Sequence, residues 1–165
     1  MTIGHFIGGV GALVRRPQDG RYLLLRRSAE KDFGAGAWEC ITGRVEQGEG
    51  FIEALRREVR EELGVEFQPE FFLGTSHFYR GAAQPGNELI GVAFCGTVTD
   101  PAAVRLSAEH SEQRWVTLAE AQALLLAQDP STGWLLQVLQ RAETIQAHWP
   151  EALSEYFCQV GFELG

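Results

Sequence analysis

The sequence predicts an α/β (α+β) fold in which a mixed β-sheet carries helices on both of its faces. Short apolar runs of strand length alternate along the chain with longer runs that have helical periodicity. Several consecutive strands are joined by turns too short for a parallel crossover, so part of the sheet must be antiparallel. The chain has 165 residues, 45% of them hydrophobic, which is enough for one domain with a substantial core.

Six strands are predicted from apolar runs that end at turn signals. They are His5–Arg15, Arg21–Arg27, Trp38–Thr42, Glu70–Arg80, Glu88–Val98 and Arg114–Val116. The first two strands flank the turn sequence PQDG, and we expect them to form a hairpin. The fourth and fifth flank the loop sequence GAAQPGN, which has the composition of a connection between antiparallel strands.

Three helices are predicted, and the first has the clearest pattern. They are Phe51–Leu63, Leu118–Ala127 and Gly133–His148, with Asp129-Pro130 separating the last two. In the first helix the apolar side chains fall within an arc of roughly 80°, and Gly64 follows as a stop signal. These apolar side chains are Ile52, Leu55, Val59 and Leu63. Residues 149–165 contain Pro150 and two glycines, and their pattern predicts no element.

Composition excludes several classes of protein. A net charge of −8 argues against a sequence-independent nucleic-acid surface or an anionic-membrane surface, since both require a basic face. The three cysteines are far apart and form no CxxC pair, so neither a disulfide framework nor a zinc site is expected. The start of the chain lacks the features of a signal peptide, and no apolar run reaches the roughly 18 residues of a membrane helix. We therefore expect a cytoplasmic protein.

Carboxylates are concentrated in the second half of the first helix. Glu58, Glu61 and Glu62 fall on an arc that adjoins the apolar stripe, so they should point along a sheet edge or into a cleft. Like charges at this spacing repel one another. Either the neighbouring arginines offset the repulsion on a solvated face, or a cation binds there; the helix alone leaves both interpretations open.

The loop before the helix completes a longer pattern. Residues 43–65 read GRVEQGEGFIEALRREVREELGV and fit G-x5-E-x7-R-E-U-x-E-E-x-G-U, where U is a bulky aliphatic residue. This pattern is the Nudix box, and the chain resembles a Nudix hydrolase, with a similar order of elements over roughly residues 3–147. The resemblance implies an α/β/α sandwich around a mixed sheet. It also implies hydrolysis of a diphosphate linkage in a nucleoside diphosphate joined to another group.

The resemblance also implies roles for residues of the box. Glu58, Glu61 and Glu62 would bind Mg²⁺ or Mn²⁺, which prefer oxygen ligands, and Glu61 is the first candidate for a base within the box. Glu49 and Arg57 would form an orienting pair. Glu46 occupies a position that is often acidic in the family, and we expect it to assist through water. The chain departs from the common Pro-Gly-Gly entry to the box, because Ile41-Thr42-Gly43 stands there.

Residues outside the box complete the predicted site. Arg27, in preference to Arg26, is expected to contact a substrate phosphate, with Arg44 as a second candidate; ordinary basic surface residues are the competing interpretation. In similar enzymes an acidic residue before the last strand approaches the metal site. Glu112 is the first choice for that role and Glu109 the second. The aromatic residues Trp38, Phe78, Tyr79 and Trp134 are expected to lie in the core in preference to stacking on a base.

The substrate class is inferred only from sequence markers that the chain lacks. Sequence markers that accompany ADP-ribose and dinucleoside-polyphosphate enzymes are absent after the box, which favours a nucleoside triphosphate or a similar small nucleotide. A nucleotide-sugar or ADP-ribose-type substrate is the alternative, and a non-catalytic nucleotide-sensing module is a third possibility. We expect a single Nudix domain over 1–165 with its core at about 3–147, acting as a monomer or homodimer without nucleic-acid or membrane partners.

Overall fold

The computed structural model describes residues 4–30, 34–125 and 130–164, with the side chains of residues 130 and 131 left undescribed. The strands of this part are β1 Ile7–Val14, β2 Tyr22–Arg27, β3 Trp38–Glu39, β4 Ile41–Arg44, β5 Phe67–Tyr79, β6 Glu88–Val98 and β7 His110–Val116. The helices are α1 Phe51–Leu63, α2 Leu118–Leu124, α3 Pro130–His148 and α4 Glu151–Val160. Short 3₁₀ turns at Pro85–Asn87 and Pro101–Ala103 flank β6.

The strands form two sheets. The four-stranded sheet has the order β4-β1-β6-β5, in which β1 and β6 are parallel and the other pairs antiparallel. The three-stranded sheet has the order β3-β2-β7 and is antiparallel. One hydrophobic cluster lies on the α1 side of the sheets, and a second lies on the side of α2 and α3. The predicted fold class, a mixed sheet with helices on both faces, is confirmed.

The predicted hairpin of the first two strands is wrong. Only a single bridge, between Arg15 and Tyr22, joins them, and beyond it β1 and β2 enter different sheets. The predicted strand Trp38–Thr42 likewise divides at Cys40, so that β3 joins one sheet and β4 the other. A local apolar pattern shows that a segment is a strand but does not specify its partner, because every buried partner satisfies the same pattern.

Two strands begin earlier than predicted, and both lie at a sheet edge. β5 starts at Phe67 and includes Pro69, which an edge strand tolerates because one side of its backbone needs no partner. β7 starts at His110, before the predicted Arg114. Its first half is polar because an edge strand exposes much of its surface, so hydrophobic alternation did not reveal it.

Helix α1 has the predicted bounds. Gly64 follows it with φ 69°, a left-handed conformation that ends the helix and favours glycine. The predicted apolar stripe is buried, with Leu55, Val59 and Leu63 fully inaccessible. Helix α3 begins at Pro130, where proline's missing N–H needs no partner. Helix α2 ends at Leu124, and residues 126–129, where we predicted its end and the break after it, lie outside the described residues.

The segment after α3 wraps around the edge of the four-stranded sheet. Trp149 packs on Phe71 of β5 with ring centroids 5.5 Å apart, on the α3 side. Helix α4 follows, and Phe162 beyond it packs on Phe94 of β6 at 5.1 Å, on the α1 side. Sequence patterns predicted no element here, yet the segment contacts both hydrophobic clusters and shields the edge strand β5. Among the described residues, no helix combines the length and hydropathy needed to cross a membrane.

Candidate functional site

Helix α1 presents its three box glutamates at three different depths. Glu62 is buried, with 7% relative exposure, because it lies next to the apolar stripe. The Glu58 side chain is 15% exposed and the Glu61 side chain 60%. A single helical arc therefore supplies one buried, one half-buried and one solvated carboxylate.

Glu58 lies against the strand that precedes the box loop. Its Oε1 atom accepts a hydrogen bond from the backbone N–H of Arg44 at 3.3 Å. A Cβ atom on Gly43 would lie 2.0 Å from the Glu58 carboxyl carbon, so only glycine leaves room for this carboxylate. The glycine that opens the box is thus explained by close packing of strand and helix, and not by an unusual backbone angle.

Arg57 connects the loop to the helix. Its Nε and Nη2 atoms donate to both carboxylate oxygens of Glu49 at 2.7 and 3.0 Å, and Nη2 also donates to the Arg44 carbonyl. The third nitrogen, Nη1, donates to Glu58 at 2.9 Å and Glu61 at 3.3 Å. The bidentate arginine holds the pKa of Glu49 below its ordinary value, since it stabilises the ionised form. The geometry of the predicted Glu49–Arg57 pair is present.

Glu62 faces two residues that lie outside the box. Its Oε2 atom is buried, accepts no hydrogen bond from the described residues, and lies 3.7 Å from Nδ1 of the buried His110. Burial, followed by the negative charges of Glu39, Glu58 and Glu109, raises the pKa of Glu62 to about 9. Several carboxylates therefore share one poorly solvated region, which a cation would stabilise.

Glu39 on β3 is a site residue that the sequence analysis missed. Its Oε1 atom lies 2.9 Å from Nε2 of His110, and both of its oxygens accept hydrogen bonds from Arg27. A signal was present, because Glu39 is a charged residue within an otherwise apolar predicted strand. A buried charge requires partners, and those partners come from β2 and β7, which only the sheet register brings alongside.

The structure does not place Glu112 with the box carboxylates. A bulge in the β2–β7 pairing lies at Ser111, so Glu112 pairs with Arg26 whereas His110 pairs with Arg27. His110 consequently faces Glu62, while Glu112 points to the opposite side of the sheet and binds Arg114 at 2.7 Å and Arg26 at 3.5 Å. Glu109, the second choice, is close enough to raise the pKa of Glu62.

Three arginines gather next to the carboxylates. Arg27 binds Glu39, and the backbone of Arg44 contacts Glu58. Arg80 follows β5, and its pKa is lowered by burial and then by the positive charges of Arg44 and Arg27. Within the described part of the chain, neither Arg44 nor Arg80 forms an ion pair. Unpaired guanidinium groups of this kind suit a phosphate ligand.

The remaining predicted residues have mixed outcomes. The Glu46 side chain is exposed, and the backbone N–H of this residue donates to Glu49 at 3.0 Å. Phe78 and Tyr79 are 45% and 40% exposed, so their expected place in the core is wrong. They lie near the end of the edge strand β5, where one flank faces solvent. Trp38 and Trp134 do pack against the α3-side cluster.

The donor set fits a divalent cation that prefers oxygen. Among the described residues no three acidic, histidine or cysteine side chains converge around one point, and Nη1 of Arg57 donates to both Glu58 and Glu61. However, the three box glutamates and the outlying Glu39 and Glu109 supply only carboxylate oxygens. The buried Oε2 atom of Glu62 has no hydrogen-bond donor among the described residues, and a cation would satisfy this oxygen instead.

Comparisons with known proteins agree with this geometry. A model of the NUDIX domain matches residues 5–142. The crystal structure of a MutT protein from Methanosarcina mazei Go1 superposes with a TM-score of 0.67 and 30% identity, covering 87% of this chain and 99% of that one. A CTP pyrophosphohydrolase of Escherichia coli K12 is 49% identical over 57 residues, or 34% of this chain and 40% of the relative.

A further relative is named as a transferase and not as a hydrolase. An octanoyltransferase of Myxococcus xanthus is 37% identical over 107 residues, which is 64% of this chain and 29% of the relative. The chain thus spans less than half the length of either curated relative. The activity that each name describes belongs to a whole protein of which only a part has a counterpart here.

Proposed function

Because the chain belongs to the Nudix family, whose members generally use a divalent metal, we propose that it hydrolyses a diphosphate linkage in a small nucleotide. The observation that supports this most directly is a cluster of carboxylate side chains flanked by arginines. Its members are Glu58, Glu61, Glu62, Glu39 and Glu109. Carboxylates repel a phosphate, so their concentration beside arginines is explained by a cation that lies between them and the substrate.

The reaction divides the work between two groups of side chains. The metal, Mg²⁺ or Mn²⁺, would be held by Glu58, Glu61 and Glu62, and it would supply charge neutralisation and a more acidic water. Arg57 keeps Glu58 and Glu61 adjacent, and Glu49 keeps Arg57 in place. A carboxylate of the site accepts the proton as water attacks phosphorus, and a diphosphate oxygen leaves.

Glu109 is the carboxylate from outside the box that the geometry favours for the base, with Glu61 as the choice within it. Glu109 is exposed on the turn before β7 and close enough to influence Glu62. Glu112 is separated from this region by the bulge at Ser111.

Substrate phosphates are proposed to lie against Arg27, Arg44 and Arg80, with Glu46 at the margin of the site. A nucleoside triphosphate is the preferred substrate, and the similarity to a CTP pyrophosphohydrolase supports that choice. Nucleotide sugars and ADP-ribose remain the alternative substrates. A complete box argues against a module that only senses nucleotides, because such a module has no need for every carboxylate.

The deciding experiment measures, by chromatography, the nucleoside monophosphate released from a nucleotide panel with Mg²⁺ or Mn²⁺, together with the pyrophosphate or phosphate released from the triphosphates. The panel contains ribo- and deoxyribonucleoside triphosphates, ADP-ribose and a UDP-sugar. We expect turnover that disappears with EDTA, returns with the metal, and falls by at least about a hundredfold in Glu58→Gln and Glu61→Gln. Full turnover by metal-stripped protein in excess EDTA would overturn the metal assignment. No turnover with any substrate would favour the sensing module.

The phosphate-binding role of Arg80 has its own test. Arg80→Gln should raise KM by about tenfold or more, because a charge-assisted contact to phosphate is lost, while kcat changes less. Arg105→Gln is the matched control, since Arg105 is exposed and outside the arginine group. An unchanged KM for Arg80→Gln would remove Arg80 from the substrate site.

A further inference from the structure

The N-terminus of α1 is capped by a residue far away in the sequence. Its N-cap residue is Gly50, which has no side chain to accept from the free N–H groups of the first turn. Instead, Oε1 of Glu163 accepts from the backbone N–H of Phe51 at 2.6 Å, and Ile52 N–H lies 3.4 Å from the same atom. A carboxylate at this end also interacts favourably with the helix dipole.

The close approach depends on the glycine. A Cβ atom at position 50 would lie 2.6 Å from Oε1 of Glu163 and 2.8 Å from Oε2. Gly50 and Glu163 are therefore complementary: the absent side chain on the helix leaves the space that the distant carboxylate occupies. A side chain with its own capping oxygen, such as serine, would compete for that space.

Aromatic packing holds Glu163 in this position. Gly161 ends α4 with φ 77°, which lets the chain turn back towards α1. Phe162 then stacks on Phe157 with ring centroids 4.4 Å apart and an interplanar angle of 6°, and it packs on Phe94 at 5.1 Å. Because Phe162 is packed between α4 and β6, the adjacent Glu163 is held in a fixed position relative to α1.

We propose that Glu163 is a positioning residue for the carboxylate site. It orders the first turn of α1, which begins directly after Glu49, and Glu49 holds the arginine that contacts Glu58. The connection runs through contiguous contacts from Glu163 to Gly50, Glu49, Arg57 and Glu58. Glu163 lies beyond residue 142, where the match to the family domain ends, so the family pattern does not supply this contact.

The positioning role rests on the proposed hydrolase activity, so the test includes a measurement that needs no substrate. Amide hydrogen exchange at Phe51 and Ile52 is measured by NMR on the full, metal-free chain for wild type, Glu163→Gln and Glu163→Ala. The kcat and KM values of the same proteins are measured with Mg²⁺ and the best nucleotide. Glu155→Gln is the control, because Glu155 is an exposed carboxylate on α4.

Glu163→Ala should raise exchange at both amides by about fivefold, the change that loss of a typical cap produces, with exchange at Val59 unchanged. It should lower kcat by about fivefold and leave KM within about twofold, because the arginine and glutamates are misplaced while phosphate contacts persist. Glu163→Gln keeps an acceptor oxygen and should retain most of both properties. Gly50→Ser in the Glu163→Ala background should restore kcat, because the serine hydroxyl caps the helix.

Unchanged amide exchange in Glu163→Ala would overturn the cap, and faster exchange with an unchanged kcat would overturn the positioning role. Should Glu163→Ala fail to fold, Glu163→Leu carries the same comparison, because leucine keeps a side chain of similar size and has no acceptor oxygen: exchange at Phe51 and Ile52 must rise in the same way. A wild type without turnover would overturn the proposed function and with it the positioning role, whereas amide exchange would still report on the cap.

Discussion

Three glutamates that look equivalent in the sequence differ at the level of single residues. Glu61 is solvated and ion-paired to Arg57, so its charge is screened and partly compensated. Glu62 is buried next to Glu39 and Glu58 without a hydrogen bond to Oε2 among the described residues. Repulsion among carboxylates should destabilise the protein when no metal is bound. We expect most of this destabilisation to come from Glu62 and little from Glu61.

Glu62→Gln should stabilise the metal-free protein at alkaline pH. The pKa of Glu62 is raised from 4.5 to about 9 on folding, so between these values the unfolded chain has released a proton that the folded chain retains. Stability contributed by this group therefore falls as pH rises through that window. Thermal unfolding in EDTA at pH 6 and pH 9 measures the effect. Between pH 6 and pH 9, Glu62→Gln should lose less thermal stability than wild type does. An equal loss of stability in both proteins would contradict this prediction.

Glu109 and Glu112 can be distinguished by substitution with glutamine. Glu109→Gln should lower kcat by at least about tenfold, within the range for general acid–base groups, if it accepts the proton. Glu112→Gln should change kcat little, because this carboxylate binds Arg114 and Arg26 on the other side of the sheet. Steady-state kinetics on the best substrate decides between them, and a large effect of Glu112→Gln alone would restore the original assignment.

At the scale of elements, the site depends on how closely β4 approaches α1. The strand supplies Gly43 and the backbone N–H of Arg44, and the helix supplies Glu58. The contact explains why a glycine stands one residue before the end of the strand, although Thr42 replaces the more common glycine before it. Residue 42 pairs with Gly11 on β1, and as the neighbour of Gly43 in the strand it presents its side chain to the opposite face of the sheet.

Gly43→Ala should displace Glu58 and lower kcat by at least about tenfold. The new methyl group would lie 2.0 Å from the Glu58 carboxyl carbon, a distance that no packed arrangement accommodates, so the carboxylate must move. Gly86→Ala is the control, because no atom lies within 4 Å of a Cβ atom there. Near-normal kcat in Gly43→Ala would show that the position of Glu58 does not limit the reaction.

At the scale of the whole molecule, the C-terminal segment joins the two hydrophobic clusters. Trp149 contacts the α3-side cluster, and Phe162 contacts the α1-side cluster. The ring of Phe157 stacks on the rings of both Trp149 and Phe162. The assignment of residues 1–165 to a single domain stays a prediction. These contacts support it, because a segment that packs on both clusters should unfold together with them.

Phe157→Ala should destabilise the protein in one cooperative transition. Phe157 is half-buried, so we expect a loss of about 1–2 kcal/mol, below the range for a fully buried phenylalanine. Leu164→Ala should be neutral, because Leu164 is fully exposed. Chemical denaturation monitored by both tryptophan fluorescence and circular dichroism measures the effect. Two separate transitions would show that α4 and the rest of the chain form independent units.

The sequence by itself determined helix α1 and the box. The period of α1, its bounds and its buried stripe follow from residue spacing within 13 consecutive positions, and so does the adjacency of Glu58, Glu61 and Glu62. Glu49 and Arg57 are separated by about two helical turns along the chain, so the sequence indicated this pair as well. Such features depend on the chain's neighbouring residues, which a sequence displays directly.

Tertiary structure alone decided which distant residues join them. Glu39, His110, Arg80 and Glu163 come from separate strands and from the segment after α3, and each reaches the site through sheet pairing or aromatic packing. The bulge at Ser111 places Glu112 on the other side of the sheet from the box carboxylates, because one extra residue in a strand exchanges its two faces. The choice of Glu109 over Glu112 as the base stays a proposal. Strand partners and register depend on the free energy of the complete core, and a local pattern leaves both open.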